Sequence, residues 1–260
     1  MEVFRYFAIF FIVLFSGAES KNLTDSRMIG GKPADISELP YVASVLYRGD
    51  HICGGVIVSR YLCSLLLNAS KSTVRNEKQV QVRVGSFRAY YAGIIVDANF
   101  YLLHPDFDTN FTSFEHDVAL IRLSYPLRFD DNIQPATVAD YGQQPLAGTS
   151  AVVAGWERFE TRLDMAGDLR KINVSIVDEF DCFLFYIEEQ EFTKYQLCAS
   201  SSKKHMGACK GDIGSPLAVD GLIVGLYSWS GKCGDPEKPE VYSNLAEYFM
   251  WIDHSIKIFT

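Results

Sequence analysis

The residues of this 260-residue chain with chemistry to offer are five histidines, six cysteines and a carboxylate set at the head of an apolar run. His51 stands just before Cys53-Gly54-Gly55, and His104 and His116 flank the segment Asp117-Val118-Ala119-Leu120-Ile121-Arg122-Leu123. His205 precedes Cys209, and His254 falls close to the C-terminus. An imidazole beside a hydroxyl could take its proton, and a carboxylate could hold that imidazole in one tautomer, which is the machinery of acyl transfer. Read one by one, each histidine is an ordinary surface or packing residue, and Asp117 is a buried carboxylate held by backbone donors. No Cys-x-x-Cys or paired histidine spacing suits zinc, so neither a metal nor another cofactor is expected.

The elements that must position these residues are strands. Residues 1–18 read as a signal peptide, because the apolar stretch from Phe7 to Phe15 follows Arg5 and leads into Ser16-Gly17-Ala18. That implies secretion, and in an oxidising compartment the six cysteines favour disulfides over thiol chemistry. Sequons at Asn22, Asn68, Asn110 and Asn173 would carry glycans on surface loops. A formal net charge of -8 gives no footprint for nucleic acid, and no Lys/Arg run marks a membrane surface. The segment 79–84 alternates polar and apolar at period two, and apolar runs at 41–47, 52–58, 93–103, 117–123, 149–156 and 169–177 add further strands. Asp220-Gly221 between Leu217-Ala218-Val219 and Leu222-Ile223-Val224 predicts a two-residue type I′ hairpin. Only the stretch from Glu247 to Ile258 has helical spacing, with Phe249, Ile252 and Ile256 on one face. A stretch rich in Asp, Asn and Pro near 130–146 separates two halves.

Several separated motifs, in order, resemble the chymotrypsin/trypsin family of serine proteases. They are Arg27-Met28-Ile29-Gly30-Gly31, Cys53-Gly54-Gly55, the Asp117 segment, Ala154-Gly155-Trp156, Gln196-Leu197-Cys198-Ala199, the run from Cys209 to Leu217, Ser228-Trp229 and Pro239-Glu240-Val241-Tyr242. The resemblance implies an all-β fold of two antiparallel six-stranded barrels with a short C-terminal helix. It also implies a propeptide at 19–27 and a mature domain at 28–260, divided into barrels at about 28–135 and 136–260. Cleavage after Arg27 would free Met28, whose amino group would pair with Asp212.

The same resemblance locates the catalytic positions, and there the sequence departs from the family. Leu67 falls where the histidine belongs, or Asn68 with a shift of one residue, and Ile213 replaces the serine. Asp117 alone keeps its place, and Ser215, two residues beyond Ile213, is expected to point elsewhere. Gly207 and Ala208 stand at the base of the specificity pocket, while Ser230 and Glu240 line its walls, with Glu240 expected to plug it. Cys182–Cys198 and Cys209–Cys233 match family disulfides. Cys53 lacks its usual partner, which leaves a relocated Cys53–Cys63 bridge or two buried thiols.

On this reading the chain is not an enzyme but a secreted, monomeric pseudoprotease that acts by binding a protein. It is similar to inactivated serine protease paralogues of parasitic mites, relatives of the group 3 mite allergens, which implies host complement or another plasma protein as partner. Two alternatives stay open: a cofactor of an arthropod protease cascade, and an atypical residual protease.

Overall fold

The computed structural model describes residues 31–66, 79–107, 114–156, 167–188, 192–203, 206–235 and 237–260. Residues 1–18, expected to be a signal peptide, and Arg27, Met28, Leu67, His205 and the sequons at Asn22, Asn68 and Asn110 lie outside the described residues.

Fourteen strands are described: β1 (Lys32–Pro33), β2 (Val42–Tyr47), β3 (Asp50–Val56), β4 (Leu62–Leu65), β5 (Val80–Val84), β6 (Ile94–Leu103), β7 (Ala119–Leu123), β8 (Thr137–Val138), β9 (Ser150–Trp156), β10 (Leu169–Val177), β11 (Gln196–Ser200), β12 (Pro216–Val219), β13 (Leu222–Trp229) and β14 (Glu240–Asn244). Two α-helices accompany them, α1 (Glu179–Tyr186) and α2 (Leu245–Phe259). The apolar runs read from the sequence correspond to β2, β3, β6, β7, β9 and β10. Along β10 the period-two rule is explicit, since Ile172, Val174 and Ile176 are buried while Asn173 and Ser175 face out. The turn between β12 and β13 has Asp220 at φ 48° and Gly221 at φ 82°, the two left-handed residues a type I′ hairpin requires.

The strands form two sheets. In the C-terminal one, β10, β11, β14, β13, β12 and β9 pair in that order, and β9 pairs back to β10, closing a barrel. Although β1 lies early in the chain, it joins this sheet by pairing with β10. The N-terminal sheet runs β3-β2-β5-β6-β7-β4 and curls without fully closing, so the expected second barrel is a half-barrel. Its ends meet at a single bridge, Ile57 to Cys63. Beyond that bridge the Ser64 hydroxyl takes the Val56 N–H at 2.9 Å, and a side chain replaces the next ladder bond.

Each sheet encloses an apolar cluster. Val45, Val82 and Ile121 fill the N-terminal one, and Val153, Val174 and Tyr242 the C-terminal one. A third cluster crosses the seam: Val56, Leu62 and Leu120 from one sheet and Ile223 and Leu226 from the other meet Leu245, Tyr248 and Ile252 of α2. The helix starts two residues before the predicted span and turns Tyr248 inward, with Phe249 only half-buried. α1 was not foreseen. Among the described residues no helix is long and apolar enough to cross a membrane.

Candidate functional site

The site begins in the β2–β3 hairpin. Arg48 and Gly49 turn the chain at positive φ, and the pairing of β2 with β3 sets Ser44 opposite Gly54, with the register shifted between Val45 and Leu46. Ser44 and His51 therefore meet across the hairpin, with Ser44 Oγ 2.7 Å from His51 Nδ1. His51 Nε2 lies 3.2 Å from the Gly211 carbonyl. A carbonyl can only accept, so Nε2 carries the ring proton and Nδ1 accepts from the Ser44 hydroxyl. An imidazole thus stands as acceptor to a serine hydroxyl, the relation needed to take its proton. The pair is interior, with His51 at 2% and Ser44 at 0% exposure.

Gly211 belongs to the turn Lys210–Asp212, which leads into Ile213. Gly54 N–H donates to the Ile213 carbonyl at 2.8 Å, and Ser215 N–H donates to the Asp212 carbonyl at 2.8 Å. The Ile213 side chain is half-buried and touches all three apolar clusters. Ser215 points into the seam: a Cβ placed on either Gly54 or Gly155 would come within 2.5 Å of its hydroxyl oxygen. Gly54 is there because the two sheets approach at that point, and Gly155 because β9 runs close past Asp212 and Ser215 within its own sheet. Asp212 is buried, with Oδ2 accepting from Cys209 N–H at 3.0 Å. At the start of the described chain, Arg170 Nε donates to the Gly31 carbonyl at 3.1 Å. Asp117 is buried at the head of β7 and accepts from Ser228 Oγ at 3.2 Å, while its carbonyl accepts from Ser243 Oγ at 3.3 Å.

Glu240, at the head of β14, turns its carboxyl inward at 5% exposure. One oxygen accepts from Ala208 N–H at 2.7 Å, and the other accepts from the Tyr242 hydroxyl at 2.7 Å. A Cβ on Gly207 would fall 2.0 Å from Glu240 Oε1, so only glycine admits this carboxyl. Burial pushes the carboxyl up to about 7, with the two hydrogen bonds working in the opposite direction. Ser230 Oγ sits 2.9 Å from the Tyr227 hydroxyl. The two disulfides among the described residues are Cys182–Cys198 and Cys209–Cys233.

Cys63 carries a thiol, and no disulfide joins it to Cys53. Cys63 faces Ile57, and Cys53 lies four residues further along β3, about 13 Å at the rise of a strand and beyond disulfide reach. Burial pushes the Cys63 thiol up to about 12, which keeps it protonated and inert. Asn173 is exposed on β10. The one group of side chains able to gather round a metal ion among the described residues is His104, Asp106 and His116.

A family model described as Trypsin matches residues 28–252. The chain is 30% identical over 243 residues to the vitellin-degrading protease of Bombyx mori, covering 94% of this chain and 90% of that protein. It is 31% identical over 230 residues to trypsin alpha of Drosophila melanogaster, covering 88% and 87%. Among solved structures, neuropsin, a serine protease of mouse brain, superposes with a TM-score of 0.76 at 27% identity, over 87% of this chain and 99% of that one.

These findings overturn one expectation. The inference that the chain is no enzyme because its histidine is lost does not stand: the similar proteins are proteases by name, and His51 is present and hydrogen-bonded to a serine. From the sequence His51 reads as an ordinary surface or packing residue, because the family motif places the imidazole after Cys53-Gly54-Gly55, where Leu67 stands. The pairing of the hairpin was the available signal, because it brings residues of adjacent strands together whatever their distance along the chain.

Proposed function

The chain belongs to the trypsin family of serine proteases, and on that premise we propose that it is an extracellular member which engages another protein through the surface around α1. The observation that carries this reading is the composition of α1's outer face. Phe180 is 65% exposed, Ile187 55% and Leu184 51%, with Phe183 and Phe185 beside them. An apolar patch of this kind is costly to leave in water and marks a contact surface in a folded protein. Asp178, Glu179 and Asp181 rim the patch with negative charge, as a polar border surrounds an interface core. The groove beside it is lined by Asp178, Glu179, Phe180, Phe183 and Phe192, which offers a receptacle for an apolar side chain of the partner.

The remaining parts of the proposal concern maturation and the pocket. Residues 1–18 are removed as a signal peptide, 19–27 as a propeptide, and the mature chain begins at Met28. The close packing of Gly31 and β1 on β10, which brings the start of the described chain to the barrel that holds Asp212, supports this reading. Glu240 fills the specificity pocket above Gly207 and Ala208, in keeping with its two hydrogen bonds there. Asn22, Asn68, Asn110 and Asn173 carry glycans. Host complement and other plasma proteins are the partner class, because the resemblance to mite proteins drawn from the motifs implies it.

Capture from plasma by secreted protein, identified by mass spectrometry and compared with a Phe180→Ser/Leu184→Ser double variant, tests the reading. The expected result is a partner retained by the parent protein, beginning at Met28 on sequencing, and lost at least tenfold by the variant, about the effect of removing apolar anchors from an interface. Identical capture by the two proteins would remove α1 as the contact surface. Incubation of the captured partner with the protein, read for new termini, reports turnover separately.

A further inference from the structure

The histidines that bracket the β6–β7 pair are brought together by it. β6 ends at Leu103, opposite Ala119 of β7, so His104 and His116 leave the sheet side by side although twelve positions separate them. Their rings stack with centroids 4.8 Å apart and 5° between planes. His104 Nδ1 is 4.0 Å from the carboxylate of Asp106, and ligand atoms of His104, Asp106 and His116 all lie within 4.8 Å of one another.

We propose that these three side chains form a zinc(II) site. Two imidazoles and a carboxylate are a donor set that zinc accepts in tetrahedral geometry, with a fourth place left for water. Ligand atoms on a tetrahedral zinc stand about 3.4 Å apart at ordinary bond lengths. The present spread therefore closes by roughly 1 Å. Asp106, whose side chain is 74% exposed, can close its own part of that spread, the 4.0 Å to His104 Nδ1. The same exposure leaves an entry path and a position for water.

Three further observations separate this cluster from a chance meeting of surface residues. His116 Nδ1 is buried without a hydrogen-bond partner among the described residues, a polar atom left with its lone pair or proton unanswered. His116 also holds a left-handed backbone at φ 53°, uncommon outside glycine, and its N–H donates to the Tyr248 hydroxyl at 3.1 Å. Aromatic rings hold the two imidazoles from outside: Trp251 and Tyr248 meet His104 edge-on at 5.2 and 5.3 Å, and Tyr195 lies 4.3 Å from His116. A shell that fixes ring orientation is what a metal site needs around its first ligands. The ion would join the end of β6 to the residue preceding Asp117.

Titration of the metal-free, full-length secreted protein with zinc chloride, followed by calorimetry, tests the site. One equivalent should bind with a raised melting temperature, His104→Gln should abolish that equivalent, and Asp106→Asn should weaken it at least tenfold. Asp106 is exposed, so its variant should melt like the parent without metal, which makes the loss of binding readable as loss of a ligand. Cobalt(II) in place of zinc should give the visible absorption of a tetrahedral centre in the parent and not in His104→Gln. Absence of a saturable equivalent in the parent, or equal binding by the parent and both variants, would overturn the proposal.

Discussion

Glu240 shows at the residue scale how burial and hydrogen bonding compete over one carboxyl. Desolvation raises its pKa from 4.5 to about 7, while Tyr242 and the Ala208 N–H oppose the shift without cancelling it. Because the folded-state value lies above the unfolded one, the stabilisation is complete below pH 4.5 and is lost as pH rises through about 7. A shift of this size corresponds to about 3 kcal/mol of stability. Urea midpoints of the parent protein should therefore fall between pH 5 and pH 8, and Glu240→Gln, which cannot ionise, should remove most of that fall. An unchanged pH profile in the variant would show that other groups govern it. The family motif implies Gly207 as a pocket residue, but the sequence does not show why it is glycine: the glycine is demanded by the approach of a carboxyl from a strand more than thirty positions away.

At the scale of elements, α1 is held by its cap. Asp178 accepts the Phe180 N–H at 2.9 Å through its side chain, with extended backbone of its own, and Glu179 and Asp181 place negative charge in the first turn. Replacing Asp178 with Ala should cost about 1 kcal/mol, read as a lower melting temperature with activity and binding measured in parallel. The helix escaped the sequence reading although Phe180, Phe183, Leu184 and Ile187 recur at i, i+3, i+4 and i+7, because it is only eight residues long and Phe185 and the buried Tyr186 lie off that stripe. Strands were easier to read, since β5 alternates polar and apolar throughout, β10 does so from Ile172 to Ile176, and β12–β13 carry their own turn. The Ser44–His51 contact belongs to this scale as well. Neither residue announces the other along the chain, and only the register of β2 on β3, with its irregularity after Val45, makes them neighbours.

Across the whole molecule, the seam between the half-barrel and the closed barrel is where the packing is shared. Ile213 touches the clusters of both sheets and the cluster that α2 completes, and its carbonyl takes the Gly54 N–H from the opposite sheet. Truncating Ile213 to Ala should cost about 2 kcal/mol, at the low end for a core isoleucine because the side chain is only half-buried. The denaturation slope should stay unchanged while the midpoint moves, as one cooperative unit requires. A separate transition for one barrel would instead show that Ile213 couples them less than its contacts suggest. α2 reinforces the same seam, laying Leu245, Tyr248 and Ile252 over residues of the two sheets.

Sequence alone was sufficient for the all-β class, the order of the main strands, the β12–β13 turn, two disulfides and the family, because period-two patterning and spaced motifs are properties of the chain itself. It did not decide closure of the N-terminal sheet, the state of Cys63, the Ser44–His51 pair or the gathering of His104, Asp106 and His116. Each of these depends on strand register and on the distance between segments remote in the chain. Spacing along a chain does not contain that distance, and the paired strands supply it.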